Sequence, residues 1–238
     1  MCGRYSAAGT LDELAKLIDF ICRAPDFAPR YNIAPRQRVP VIVLENFQPV
    51  LRPMRWGLIP SWAKAAAIGD QLINARAETL LEKASFRQAY HRRRCLIPAD
   101  GFFEWQRQNK SFTPFRFTRA DGGWFGMAGL WERWVEPPRE GEFNFNDFDE
   151  PVPGRIIDSF SVITTTANPM VAAVHDRMPV ILRRGDWLTW IDSGRLDGHD
   201  VFIRNMLKPY PAEEMDCHRV STRVNSAAND TPQVIEPA

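Results

Sequence analysis

Four segments in the middle of the chain, residues 96–105, 114–118, 124–134 and 159–166, are dense in aromatic and β-branched residues. Each has the length and composition of a strand. Strand following strand, with no helical period between them, excludes a regular βαβ array and favours α+β. Residues 39–45, nearly all apolar, and residues 49–56 read as two further strands. Helical spacing is confined to the flanks. Residues 11–23 place Leu11, Leu14, Leu17, Ile18 and Ile21 on one face, with Thr10 as N-cap. Residues 78–87 and 186–193 read as further helices, and residues 169–174 as a short helix or turn. Residues 24–35 hold three prolines and read as loop, as does the polar tail from Asn225.

The 238 residues suffice for one well-buried domain, expected to span 1–238. Residues 136–153 stand apart, with four prolines, many acids and no periodicity. They read as a flexible surface insertion between two strands. Cys2, Cys22, Cys95 and Cys217 form no C-x-x-C pair, which fits neither a zinc site nor a disulfide scaffold. The N-terminus lacks the pattern of a signal peptide, and no apolar stretch reaches membrane-spanning length. The expected setting is the reducing cytoplasm, at the nucleoid in a bacterium, with no membrane association. A net charge of +1 gives no bulk attraction for nucleic acid, although a local basic face remains compatible with it.

Cys2 is the most informative position. Removal of Met1 would leave a residue with both an α-amine and a thiol, whose reference pKa values near ~8 and ~8.5 leave each a nucleophilic fraction at neutral pH. The amine condenses with an aldehyde to an imine, and the sulfur then closes a thiazolidine ring. The competing reading is an ordinary cysteine near a frayed terminus. Glu104, in Ala99-Asp100-Gly101-Phe102-Phe103-Glu104-Trp105, has aromatic neighbours that would desolvate it and raise its pKa toward neutrality; a solvent-facing strand glutamate is the alternative. His175, in Val174-His175-Asp176-Arg177-Met178-Pro179, has an acid and a base beside it and is suited to proton transfer, or else it is a structural turn residue. If residues 74–78 are extended, Asn74, Arg76 and Glu78 face one way, where an amide and a guanidinium can hold a sugar hydroxyl or phosphate; Arg76 paired to Glu78 is the bland version. Trp56, Trp62, Phe86-Arg87 and Trp105-Gln106-Arg107 set aromatics beside polar and basic residues, as single-stranded nucleic acid would need. Eight tryptophans in a β-rich fold are nevertheless mostly core. Arg92-Arg93-Arg94 reads as a solvated face. No Gly-rich phosphate loop and no metal-ligand spacing is present.

Taken in order, the blocks Met1-Cys2-Gly3-Arg4, Tyr31-Asn32-Ile33-Ala34-Pro35, Trp56-Gly57-Leu58-Ile59-Pro60-Ser61-Trp62, Asn74-Ala75-Arg76-Ala77-Glu78, Ala99 to Trp105, Ala128-Gly129-Leu130-Trp131 and His175 to Pro179 resemble the SRAP family of abasic-site-processing proteins over essentially the whole chain. The resemblance implies a single α+β domain, with curved mixed sheets forming a partly open β-barrel-like core and helices outside. It implies that Cys2 attacks the ring-opened aldehyde of an abasic deoxyribose. Glu104 would then serve as acid–base group, His175 as proton-transfer residue near the sugar hydroxyl, and Asn74 as the residue orienting Cys2 and the sugar. Arg4, Arg76 and Arg177 match phosphate-contacting positions, and Asn74 counts among the DNA-binding residues through the sugar. Trp62 and Trp105 match aromatics that stack on bases or wedge the strand. The implied partner is single-stranded DNA containing abasic sites; protein partners at the replication fork stay unassigned. No cofactor is called for, and a monomer is expected. Residues 136–153 have no counterpart in the pattern, and Ala84 stands where a basic residue sometimes occurs.

The chemistry fits the lesion. An abasic site supplies an aldehyde and lacks a base, so a nucleophile has room to approach. Contacts to phosphate would make affinity fall with salt. Two other readings compete: a cysteine peptidase, self-processing included, with Cys2 as nucleophile and His175 as base, and a non-catalytic single-strand-binding module.

Overall fold

A computed structural model describes residues 2–24, 27–109, 111–137, 154–195 and 200–238. In chain order its strands are β1 (Tyr5–Ala7), β2 (Ile21–Cys22), β3 (Arg30–Ile33), β4 (Arg38–Glu45), β5 (Gln48–Trp56), β6 (Asn74–Arg76), β7 (Arg94–Ala99), β8 (Gly101–Gln108), β9 (Ser111–Arg119), β10 (Phe125–Val135), β11 (Ile156–Thr166), β12 (Arg177–Pro179), β13 (Ile181–Leu182) and β14 (Met215–Arg219). The helices are α1 (Leu11–Ala15), α2 (Ala84–Arg92), α3 (Pro169–Ala172), α4 (Trp187–Ile191) and α5 (Asp200–Asn205).

Two sheets form. One runs β14-β9-β8-β1-β3; the other runs β12-β11-β10-β7-β4-β5-β2, with β13 added to β10 and β6 to β11. Within the second, β11 also pairs with β5 in parallel, through Ser159↔Arg55 and Phe160↔Trp56. That pairing closes β5-β4-β7-β10-β11 into a five-stranded ring. The expected α+β architecture with a barrel-like core is what the chain adopts, and this short seam shuts the ring that was expected to stay partly open. Trp56 anchors the seam: its ring stacks with Phe160 at 6.2 Å and meets Tyr5 of β1 edge-on at 5.2 Å. Its indole N–H donates to the Ile73 carbonyl (2.9 Å), one residue before β6. One apolar cluster extends from Cys2 to Met215 and buries Trp56, Trp124, Trp187 and Trp190, with Trp131 packed against it. Among the described residues no helix is long and apolar enough to cross a membrane.

Several local expectations need correction. The helix over 11–23 stops at Ala15, although Thr10 caps it with a full capping box as anticipated. Five residues make a marginal helix, and Ile21 and Cys22 instead pair with Val50 and Leu51, satisfying the open edge of β5. The single strand over 96–105 is two strands in different sheets. The break falls at Asp100, whose carboxylate accepts from Ser6 Oγ (2.6 Å) and the Ala8 N–H (3.2 Å). Gly101 follows because a Cβ there would lie 2.6 Å from Arg116 Nε. The helix over 78–87 forms later, at α2, where Phe86, Ala89 and Tyr90 share the buried face. The run Arg92 to Arg94 is not a solvated face throughout. Arg94 is buried and donates to the carbonyls of Trp190, Tyr90 and Asp192. Within 24–35, Arg30–Ile33 is strand β3. Most of the expected insertion at 136–153 lies outside the described residues; at its edge, the Glu136 N–H donates to the Arg155 carbonyl (2.9 Å).

Candidate functional site

The register of β1 against β8, Tyr5↔Phe102 and Ser6↔Gly101, continues toward the N-terminus as the Phe103 N–H donates to the Arg4 carbonyl (2.9 Å). This brings Cys2 into the neighbourhood of Glu104. Side chains alternate along a strand, so Phe102 and Glu104 share one face of β8. Phe103 and Trp105 share the other, where they pack with Val220, Val224 and Val234. Glu104 is 2% exposed. Burial pushes its carboxyl up to about 7, and the charge of Asp176 adds to the rise. A carboxyl so placed is divided between acid and base near neutral pH.

Cys2 is fully buried. Burial holds its thiol well above the ordinary range, and the charge of Glu104 pushes the same way. The thiol therefore stays protonated until a base takes its proton. The Cys2 carbonyl accepts the side-chain amide of Asn74 at 2.8 Å. Asn74 is placed by β6, which pairs in parallel with β11 (Val162↔Asn74), and by the Ile73 carbonyl that Trp56 and Val162 both engage. Its Oδ1 is buried and has no hydrogen-bond partner in the described structure.

His175 arrives from the turn after α3. Gln106 on β8 donates to the Ala173 carbonyl (2.9 Å), tying that turn over the face that bears Glu104. His175 Nδ1 accepts the Arg177 N–H at 3.0 Å and lies 3.0 Å from an Asp176 oxygen. Burial lowers the pKa of its ring, so the neutral form prevails near pH 7. Because Nδ1 is an acceptor, the neutral ring carries its proton on Nε2. The Asp176 carboxylate becomes an ion-pair partner when the ring protonates.

Cys2, Asn74 and Glu104 thus converge, and the turn that Gln106 ties down carries His175 to the same face of β8. The expected cationic residues are distributed differently. Arg76 is exposed at the end of β6, on the side opposite buried Ala75. It was weighed as a partner for Glu78, but Glu78 is paired bidentately with Arg177, at 2.7 and 2.9 Å, and Arg177 also donates to the Thr164 carbonyl. Arg4 Nη1 donates to Asn32 Oδ1 (2.8 Å) and to the Val224 carbonyl (2.6 Å), and its guanidinium lies 6.0 Å from the Trp105 ring. Trp105 Nε1 donates to Asn225 Oδ1 (2.7 Å). Trp62 is 57% exposed. Among the described residues, no hydrogen bond or ring contact joins it to the converging group. It ends the block opened by Trp56 and Gly57, whose φ of +114° is one that a side chain would strain.

Sequence reasoning noted Asp176 beside His175 and Glu78 as an ion-pair partner, but missed that Asp176 acts on Glu104 and that Glu78 pairs with Arg177. It also missed Asn32 and Asp230. Asp230 accepts from the backbone N–H groups of Tyr31 (2.6 Å) and Asn32 (2.9 Å) and pairs with Arg30. No local pattern could have announced a partner some two hundred residues away.

Comparison with known proteins finds relatives of this chain. A family model described as SOS response associated peptidase (SRAP) matches residues 1–227. The chain is 37% identical to the abasic site processing protein YoqW of Bacillus subtilis, over 99% of each chain. It is 30% identical to the abasic site processing protein HMCES of Xenopus tropicalis, over 98% of this chain and 77% of that protein. Among solved structures, a protein from Bacteroides thetaiotaomicron superposes with a TM-score of 0.83 at 25% identity, over the whole of both chains. Another, from Bordetella bronchiseptica, gives 0.74 at 28% identity, over 92% of this chain and all of that one.

Proposed function

This chain belongs to the SOS response associated peptidase (SRAP) family, and on that premise we propose that it processes abasic sites in single-stranded DNA by cross-linking to them through Cys2 once Met1 has been removed. The observation that supports this most is the placement of Cys2. Its carbonyl is held by Asn74, and a carboxyl raised to about 7 stands close enough to perturb the thiol.

The chemistry runs in balanced steps. The α-amine of Cys2 adds to the C1′ aldehyde of the open sugar to give a hemiaminal. Protonated Glu104 supplies a proton to the departing hydroxyl, water leaves, and a protonated imine remains beside carboxylate Glu104. The sulfur then adds to the imine carbon as its proton passes to Glu104, which returns to its acid form, and the nitrogen keeps its hydrogen. The product is a thiazolidine, and no oxidant or cofactor is consumed. Neutral His175, with its N–H on Nε2, is a hydrogen-bond donor to a sugar oxygen. Asn74 orients Cys2, and its Oδ1 is an acceptor for a sugar hydroxyl. Arg76 and the Nη2 side of Arg4 meet phosphates, Arg177 joins them where a phosphate displaces Glu78, and Trp62 and Trp105 offer faces to bases. The consequence for the cell would be shielding of the lesion.

The peptidase reading asks for a thiolate activated by an imidazole. Here the surroundings push the Cys2 thiol up, and the Nδ1 of His175 is engaged by Arg177. Both weigh against that reading. The decisive experiment is intact mass after mixing protein that begins at Cys2 with a single-stranded oligonucleotide bearing one abasic site. The expected result is an adduct of protein plus oligonucleotide less one water. It should be lost when the N-terminus is acetylated or when Met1 is retained. Absence of an adduct from correctly processed protein would overturn the proposal.

A further inference from the structure

The block Tyr31-Asn32-Ile33-Ala34-Pro35 has no part in the chemistry above, yet Asn32 is fully buried and is a hub of polar contacts. Its Oδ1 accepts Arg4 Nη1 at 2.8 Å. Its Nδ2 hydrogens are shared among the carbonyls of Val224 (3.2 Å), Ser226 (3.0 Å) and Asn229 (2.7 Å). Its own backbone N–H donates to Asp230 (2.9 Å). The loop at 224–230 is thereby fastened to β3, and Arg4 is fastened to both, since Arg4 Nη1 also donates to the Val224 carbonyl.

Arg4 stands between Cys2 and the strand that bears Glu104. Its carbonyl accepts the Phe103 N–H, which sets the register between the two segments, and it lies 3.9 Å from the Cys2 sulfur. The same loop holds β8, since Asn225 accepts the Trp105 indole N–H and Val224 packs with Phe103. The loop therefore backs both segments from the face opposite Glu104. We propose that Asn32 is a positioning residue: by clamping Arg4 and the C-terminal segment 224–230 it fixes the distance and orientation of Cys2 relative to Glu104. This inference rests on the cross-linking reading.

A displaced nucleophile lowers the rate of the covalent step more than it lowers affinity for the strand, because a misplacement of about 1 Å costs on the order of a hundredfold in rate. The test is single-turnover cross-linking across a range of abasic oligonucleotide concentrations, using full-length protein that begins at Cys2. It yields a saturating rate and a half-saturating concentration. Asn32→Ala is expected to lower the saturating rate by roughly tenfold to a hundredfold, with the half-saturating concentration within about twofold of the parent. Asp230→Asn, at a partly exposed position, keeps the side-chain shape but weakens the clamp. It is expected to lower the same parameter by a smaller factor, and it decides the matter if Asn32→Ala does not fold. A saturating rate equal to the parent's in the folded variants overturns the inference. So does a loss confined to the half-saturating concentration. Failure of the unaltered protein to form any adduct sinks the cross-linking reading itself, a result the variants cannot mimic.

Discussion

Asn74 donates its amide to the Cys2 carbonyl at 2.8 Å while its own Oδ1 lies buried without a hydrogen-bond partner in the described structure. A buried acceptor left unsatisfied costs free energy, so this one is poised for a hydroxyl that the protein does not supply. Asn74→Ala removes both the tether and the acceptor. Cross-linking should slow on the order of a hundredfold, and stability should fall by only about 1 kcal/mol. Denaturing gels timed against abasic oligonucleotide, with a thermal melt of the same samples, check both. A full-speed variant would remove Asn74 from the mechanism.

Glu104→Gln leaves the shape of the site but no titrating group. Formation and reversal of the adduct should both slow by roughly two to four orders of magnitude, and the rate profile should lose its inflection near pH 7. The folded carboxyl is raised from 4.5 to about 7, so the folded state binds the proton more tightly than the unfolded chain does. Its stabilising contribution is therefore full below about pH 4.5 and is lost as pH rises through about 7. Melting the parent and Glu104→Gln at about pH 5 and about pH 8 should show the parent losing ground to the variant at the higher pH, by about 3 kcal/mol at most. A pH-independent difference between them would contradict the raised pKa.

His175 makes the opposite prediction. Its folded pKa is lowered, so its contribution is present above the unfolded value near ~6.5 and is lost as pH falls through the folded value. Protonation also converts Nδ1 from an acceptor to a donor and breaks the contact with the Arg177 N–H. Nuclear magnetic resonance titration should find this ring titrating below the ordinary histidine value near ~6.5. Adduct formation should fall on the acid side in the same range, and His175→Ala should slow formation or alter reversal. A ring that titrates at or above the ordinary value would refute this assignment.

Arg76 is exposed and Arg177 is held by Glu78, so the two cations should respond differently to salt. Arg76→Gln should weaken binding of any single strand and reduce the slope of log affinity against log salt by roughly 0.7. Glu78→Gln should release Arg177 and steepen that slope. Fluorescence anisotropy with an intact oligonucleotide over a salt series measures both. Parallel lines for parent and Arg76→Gln would exclude a phosphate contact there.

The sequence made some of this legible and hid the rest for physical reasons. Alternation and β-branched density exposed β4, β5, β9, β10 and β11 because those strands are long and bury one face or both. Strands β1, β3 and β14 are short and polar, and they exist through partners distant in the chain. The apolar run at 96–105 masked a change of sheet: Asp100-Gly101 is itself a turn signal, but the contacts with Ser6 and Ala8 that send the chain into the other sheet come from a segment distant in sequence. At the site, Cys2, Glu104 and His175 stood out by residue type. The clamp of Asn32 and Asp230 did not, since amides and carboxylates that bind backbone groups leave no periodicity.

Complete burial of Cys2 also has a consequence in time. Strand β8, which covers the N-terminal segment, is made about a hundred residues after it, and synthesis at ~5–20 residues per second gives an interval of roughly 5–20 s. Under the aminothiol reading, excision of Met1 belongs to that interval, while the terminus is still a bare nascent chain. After closure Cys2, the residue that such a cleavage must free, is packed in the core. The competent fraction of molecules is then decided on the ribosome, and how quickly each newborn chain is trimmed matters as much to lesion capture as how many chains are made.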